Sequence, residues 1–396
     1  MNHASKECTV RFLHTSDFQL GMHRRFLGGD AGARFEESRL LAIEKLGALA
    51  ERECCDFIVV AGDIFDDNSL EQRTLDRALE TMQSLPVPIY LLPGNHDPLV
   101  ADSIFFRARQ RPNIHVLDDT EPRVISDEVE IIGAPFLVKR PDHDLVSAAL
   151  AKLEPTSRIR VMVGHGQVES YGDEIKPDLI DLQRVESALE AGTIDYLALG
   201  DTHSTSSLGE SGRVWFSGAP ETTDFHRLAE WGFDVDGGEV DSGNVLVVTV
   251  NKSTEQPVMQ AQVSVDKHAI GQWQFHALQP ELDDAATVDA FVDYLRNYDN
   301  KRRTVVKYYL RGALSLTDTM RLERELEALR PSFGALYESA SSPGLDLQPE
   351  TGELESLDVS GYARAALEEL LGDADHDTVA RDSAHLLFRL TKEARR

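Results

Sequence analysis

The sequence predicts an α/β protein whose first domain packs two sheets between helices, followed by a small α/β domain and a helical C-terminal segment. Three observations carry this expectation. Short apolar runs alternate with amphipathic helical stretches early in the chain, and strand-like runs dominate later. Five of the apolar runs stop at polar groups, four of them at a glycine. At 396 residues the chain exceeds what one hydrophobic core normally holds, so two domains and a small third element are expected.

The first apolar run spans Val10 to His14 and leads into Thr15-Ser16-Asp17-Phe18-Gln19-Leu20-Gly21. Asp17 and Gln19 stand two residues apart, so in an extended segment both side chains face the same way. From Phe35 to Arg52, Leu40, Leu41, Ile43, Leu46 and Leu49 recur at helical spacing. The run from Asp56 to Ala61 ends at Gly62-Asp63-Ile64-Phe65-Asp66, and a helix is predicted from Leu70 to Leu85. The next run, Val87 to Leu92, stops at Pro93-Gly94 and presents Asn95, His96 and Asp97 on the turn.

A short helix is expected around Ile104-Phe105-Phe106. Strands of a second sheet are expected at 114–117, 123–125 and 129–133. A helix at 145–153 precedes the apolar run 159–163, which ends at Gly164-His165-Gly166. A further helix at 185–190 precedes the run 196–199, which ends at Gly200-Asp201-Thr202-His203. Strands at 214–216, 232–234 and 245–250 complete a first domain, residues 1–252. The polar stretch Asn251-Lys252-Ser253-Thr254 reads as a linker. Residues 258–347 read as a βαβα module with helices at 288–296 and 317–329 and a strand at 304–310. A Ser/Pro/Gly-rich second linker at 339–349 leads to a C-terminal segment, residues 350–396, with two short amphipathic helices.

Composition narrows the function classes. Hydrophobic residues make up 41% and charged residues 27%, an ordinary globular balance. No long uncharged apolar run and no basic-then-apolar leader is present, so neither a membrane span nor a signal peptide is expected. Cys8, Cys54 and Cys55 are an odd set with two neighbours, neither a disulfide framework nor a zinc knuckle, and a reducing cytoplasm fits them. The net charge of −28 argues against coating nucleic acid by counterion release. It leaves room for a nuclease, because a metal cluster and a local basic patch can hold one phosphate. His23-Arg24-Arg25 is the favoured patch, since it follows the first ligand-bearing loop.

The five termini supply Asp17 and Gln19, Asp63, Asn95 and His96, His165, and Asp201 and His203. Strand ends of an α/β sheet gather along one edge, so these groups can converge without adjacency in sequence. Carboxylate, amide and imidazole donors together suit Mn2+, Fe2+ or Zn2+ and are too nitrogen-rich for a Ca2+ cage. Even seven of these donors exceed what one ion takes from protein. Two ions sharing a carboxylate, about 3.5–4 Å apart, would clamp the attacking and leaving oxygens of a phosphoryl displacement. His14, at a strand end, reads instead as a core histidine.

His14-Thr15-Ser16-Asp17, Leu20-Gly21, Gly62-Asp63-Ile64-Phe65-Asp66, Gly94-Asn95-His96-Asp97, Gly164-His165 and Ser217-Gly218-Ala219-Pro220-Glu221 resemble the calcineurin-like metallophosphoesterases, and within them the SbcD-type DNA-repair exonuclease subunits. The likeness is dense from Phe12 to about Phe225. It implies an αββα metallophosphoesterase sandwich with a capping domain and a two-metal phosphodiesterase acting on DNA ends, with Mn2+ the favoured ion. By position, Asp17, Gln19, Asp63 and His203 would hold one ion and Asp63, Asn95, His165 and Asp201 the other. His96 would steady the phosphate and protonate the leaving oxygen, and Asp66 would orient His96 as a carboxylate–histidine pair. The resemblance also implies docking of the terminal helices on an SbcC-type coiled-coil ATPase. It implies a homodimer through the region of Phe105 and Phe106 as well, residues that core packing would also explain.

Two positions depart from that family's pattern: Gln19 and Asp201 each stand where a histidine is usual. A neutral amide ligates weakly, so Gln19 either binds the first ion or hydrogen-bonds a water on it. Asp201 shifts the second half toward harder ions such as Mn2+. Two other readings stay open. A phosphodiesterase or phosphatase for small nucleotides would use the same centre, and a non-catalytic adaptor could carry an altered one.

Overall fold

The computed structural model describes residues 7–168, 176–227, 238–253, 261–340, 345–348 and 361–373, together with 377, 379–380, 383–384 and 386–387. Two compact units are present: Met1–Asp224 with Glu239–Trp273, and Phe225–Gly238 with Gln274–Arg396.

The first unit holds two six-stranded sheets. One runs, in spatial order, Gln262–Ala269, Asn244–Ser253, Glu7–Thr15, Phe57–Val60, Ile89–Leu91 and Ile114–Val116. The other runs Arg123–Ser126, Val129–Gly133, Ile159–His165, Tyr196–Gly200, Val214–Phe216 and Ser206–Leu208. Period-two alternation explains the packing. Phe12, Phe57, Val59 and Val248 face Ile131, Val161, Val163 and Tyr196 in one core between the sheets. The intervening Leu13, Ile58 and Val60 face outward onto Ile43, Leu46, Leu79 and Met82 of the Gly29–Arg52 and Gln72–Gln83 helices. Met162, Leu197 and Leu199 pack likewise on Val146, Val185 and Leu189. Strands buried on both faces need continuous apolar runs, which is why these were conspicuous in the sequence. The result is the expected αββα sandwich. Phe12 stacks on Phe57 at 5.0 Å between ring centroids and meets Tyr196 edge-on at 5.7 Å. Truncating it to alanine removes about 3–5 kcal/mol from that core.

Three expectations change. Ile114–Val116 belongs to the first sheet, parallel to Ile89–Leu91, because the intervening Phe105–Ala108 helix makes a crossover between adjacent parallel strands. The linker expected at 251–254 is largely strand. Asn244–Ser253 pairs with Glu7–Thr15 and with Gln262–Ala269, so the first unit continues to Trp273 rather than closing at 252. Lys252 looked like linker polarity, but it is buried and ion-paired with Asp195 at 2.9 Å. The strand expected at 232–234 lies outside the described residues.

The second unit is built on a parallel sheet ordered His226–Arg227, Gln274–Leu278, Thr304–Tyr308 and Ala335–Glu338. The Ala285–Arg296 and Leu316–Leu329 helices cover it through Val288, Phe291, Leu295, Leu322 and Leu326. Asp284 caps the first of these in a capping box with Thr287, its carboxylate accepting the Thr287 N–H at 2.8 Å. The Tyr362–Asp373 helix is the first of the two expected terminal helices. Its Leu367 packs with Leu316 and Leu347. Most of the second lies outside the described residues.

Candidate metal centre

The parallel strands Glu7–Thr15, Phe57–Val60 and Ile89–Leu91 end side by side, and their loops are laced together by the backbone. The Asp17 N–H donates to the Gly62 carbonyl at 3.0 Å, the Gln19 N–H to Asp63 at 3.0 Å, and the Leu20 N–H to Ile64 at 2.9 Å. Asp17 and Gln19 are not extended, as the sequence suggested. Their φ angles are +54° and +43°, and those of Asp63 and Asp201 are +53° and +97°. Six non-glycine residues among those described have positive φ, and four of them are candidate ligands. Each costs on the order of 1–2 kcal/mol, and such strain concentrates where a side chain must be aimed. Close approach also requires glycine at Gly62, where a methyl group would overlap the His165 ring.

The predicted donors fall into two groups around Asp63. On one side His165 Nε2 lies 3.3 Å from Asp63 Oδ1, 3.7 Å from Asp201 Oδ1 and 2.8 Å from Asn95 Oδ1. On the other, His203 Nε2 lies 3.8 Å from Asp17 Oδ1 and 3.1 Å from the Gln19 amide nitrogen. Asp17, Asp63 and His165 each bring a donor atom within 4.8 Å of the other two. Asp17, Gln19, Asp63 and His165 are all buried.

This donor set fits divalent ions on its own chemistry. His165 Nδ1 faces the Ala61 carbonyl at 2.7 Å, so that nitrogen carries a proton and the neutral ring presents its lone pair at Nε2. Asn95 Oδ1 then faces that lone pair, and it lies 3.2 Å from both Asp63 oxygens. Acceptors facing acceptors in a buried site need a cation among them, a second proton on the His165 ring, or the amide turned over. Gln19 Oε1 is likewise buried without a hydrogen-bond partner.

Electrostatics point the same way. Burial pushes the Asp17 carboxyl up to about 6, against the pull of His203 and His165. Burial also acts on Asp63, but His165 outweighs it and holds that carboxyl below its ordinary value. Burial would depress His165 and His203. The Asp63 charge at His165, and the Glu239 hydrogen bond with Asp17 at His203, overcome it and raise both.

His96 stands apart from the ligands. Its side chain is 42% exposed, its backbone N–H donates to Asp63 Oδ1 at 3.0 Å, and Nε2 lies 4.0 Å from Asp63 Oδ2. One expectation around it changes. The group that orients His96 Nδ1 is the Asp66 carbonyl at 3.0 Å, not the Asp66 carboxylate, because Asp66 reaches the ring through its main chain. Asp97 does not face the site. Its buried carboxylate accepts the Phe65 N–H at 2.9 Å and the Gly94 N–H at 2.8 Å, pinning the two loops together, and burial pushes it up to about 7.

Sequence reading missed Glu239 and Thr223, which back His203. Nothing local marks them, since they reach it from 36 and 20 residues away. Arg24, in the favoured basic patch with Arg25, donates to the Thr223 carbonyl. His14 is the expected core histidine, between the Tyr196 hydroxyl at 3.0 Å and the Leu199 carbonyl at 3.1 Å.

Known proteins resemble this chain. A family profile described as calcineurin-like phosphoesterase matches residues 10–205. The SbcD component of the nuclease SbcCD of Staphylococcus epidermidis is 23% identical over 228 residues, 51% of this chain and 59% of that protein. The DNA double-strand break repair protein Mre11 of Saccharolobus solfataricus is 28% identical over 203 residues, 49% of each. The uncharacterized metallophosphoesterase YhaO of Bacillus subtilis is 31% identical over 93 residues, 23% of this chain and 22% of that one. The chain thus spans about half the length, or less, of the curated relatives it matches. Among the described residues no helix is long and apolar enough to cross a membrane.

Proposed function

Residues 10–205 make this chain a member of the calcineurin-like phosphoesterases, and from that premise we propose that it is a two-metal phosphodiesterase acting on DNA ends. The observation that carries the proposal is the position of Asp63, between Asn95, His165 and Asp201 on one side and Asp17, Gln19 and His203 on the other. Asp63 would bridge, and the two flanking groups would each complete one ion's coordination. Bound Mn2+ would supply Lewis acidity and an activated water. Asp201 in place of an imidazole favours such a harder ion. His96, exposed and held by the Asp66 carbonyl, would hold its Nε2 proton toward the departing sugar oxygen. Arg24, beside the His203 loop, would meet a phosphate.

DNA is favoured as substrate because two of the matched relatives are named as a nuclease component and a double-strand break repair protein. The second unit would serve as the capping domain. The terminal helix, with Tyr362 96% exposed, would dock on a coiled-coil ATPase of the SbcC type. A homodimer would use Phe106, which is exposed, whereas Phe105 is core. The net charge of −28 favours a second reading, small nucleotides as substrate. A non-catalytic adaptor is disfavoured by a buried centre that keeps Asp17, Asp63, Asn95, His165 and His203 converged. The deciding experiment compares linear and hairpin DNA with cyclic and mononucleotides, in Mn2+ and in Mg2+, with Asp63→Ala as control. Preferential Mn2+-dependent cleavage of DNA is expected. Turnover of nucleotides alone would transfer the assignment to the second reading, and no turnover of either would end both.

A further inference from the structure

We propose that Glu239, acting through Thr223, is a positioning residue that fixes His203 with its Nε2 lone pair toward Asp17 and Gln19, and so sets ion affinity in that half of the centre alone. This rests on the two-ion reading above. Glu239 lies beyond the stretch matched to the family, and it is buried.

Its hydrogen bonds determine the proton arrangement. The Glu239 carboxylate can only accept when ionised, and it takes the Thr223 N–H at 3.0 Å, the Ser242 hydroxyl at 2.5 Å and the Thr223 hydroxyl. Thr223 has one hydroxyl proton and spends it on Glu239. Its Oγ1, 2.5 Å from His203 Nδ1, must therefore accept from the ring. Glu239 Oε1, 3.3 Å from the same Nδ1, is a second acceptor. Both fix a proton on Nδ1, so the neutral ring presents its lone pair at Nε2. The Gln19 amide nitrogen at 3.1 Å agrees with that polarity, since it can only donate.

The two imidazoles are thus backed differently. His165 leans on a neutral carbonyl, Ala61, whereas His203 leans on a buried carboxylate. A carboxylate behind a ligating histidine raises its basicity and holds its orientation, and losing such a partner typically lowers metal affinity about 10–100-fold. The stronger backing falls on the half where Gln19 is the weak donor. Glu239 there offsets what the amide does not supply.

Mn2+ binding to the full chain, by titration calorimetry and by counting bound ions, tests this with Glu239→Gln, Thr223→Val and Thr223→Ser. Wild type is expected to bind two ions. Glu239→Gln and Thr223→Val should each keep one ion at wild-type affinity and weaken the other about 10–100-fold. Thr223→Ser, which keeps the hydroxyl, should behave as wild type. Valine fills the threonine volume, so a merely space-filling role would leave Thr223→Val unchanged, and that result overturns the proposal. Equal loss of both ions in Glu239→Gln also overturns it. If wild type itself binds fewer than two ions, the two-ion reading fails first, and the proposal fails with it.

Discussion

Gly94 packs so closely against Asp63 that a methyl group on its Cα would overlap the carboxylate at Oδ1. The side chain proposed to bridge the two ions thus has its place only because a neighbour lacks one. Gly94→Ala should turn Asp63 aside and weaken both ions together. A displacement of about 1 Å in such a centre can cost on the order of 100-fold in rate. Gly94 is not in the left-handed region, so alanine brings no dihedral penalty, but its methyl would also meet the Asp63 backbone nitrogen at 2.5 Å, so the Asp63 loop has to shift along with its side chain. Ion counting and circular dichroism on the same sample check this, and wild-type ion binding in Gly94→Ala would contradict the assigned place of Asp63.

His96→Ala should keep both ions and lose about 100- to 10,000-fold in hydrolysis, the usual range for general acid–base groups. Asp66→Ala should do far less, because the contact to His96 Nδ1 is the main-chain carbonyl. Steady-state rates for the two variants, with ion content measured in parallel, separate a main-chain role from a carboxylate role. Equal damage from both would restore the carboxylate–histidine pair expected from the sequence.

Stripping metal with a chelator should lower the melting temperature. Without ions, burial and the neighbouring Asp63 charge act on Asp17, and Asn95 faces acceptors. Restoring Mn2+ at about 100 times its dissociation constant should return about 2.7 kcal/mol per site. Asp63→Ala should show no such shift. A melting temperature indifferent to both chelator and Mn2+ would speak against a metal centre here.

The strands and most of the donors were legible because both rest on local pattern. Phe57–Val60 is buried on both faces and so reads as an unbroken apolar run, and Asp63 follows it at a glycine. What stayed hidden depends on long-range pairing. Lys252 looks like linker polarity until Asp195, 57 residues earlier, is seen to bury it. Glu239 is one of many acids in an acidic chain, and only the fold brings it to His203. The atom that orients His96 was hidden too. Sequence shows the Asp66 side chain, whereas the contact is made by its backbone.

His14 gives the chain a pH dependence with a definite sign. Burial depresses its pKa from 6.5 to about 3, offset only in part by the Leu199 carbonyl. It is neutral in the folded protein, with Nε2–H donating to Leu199 and Nδ1 accepting from Tyr196. The unfolded chain takes up a proton below 6.5 and the folded one does not until about 3, so His14 costs stability increasingly as pH falls through that window. At pH 5, about 1.5 units below the ordinary value, the loss is about 2 kcal/mol. Glutamine can donate to Leu199 and accept from Tyr196 without titrating. His14→Gln should therefore gain about 2 kcal/mol on wild type between about pH 7 and pH 5. Taking the difference between the two proteins removes the contributions of Asp17 and Asp97, whose raised values act in the opposite direction. Urea unfolding of both proteins at the two pH values measures it. A stability gap that does not change with pH would mean that His14 shares its proton with solvent in the folded state.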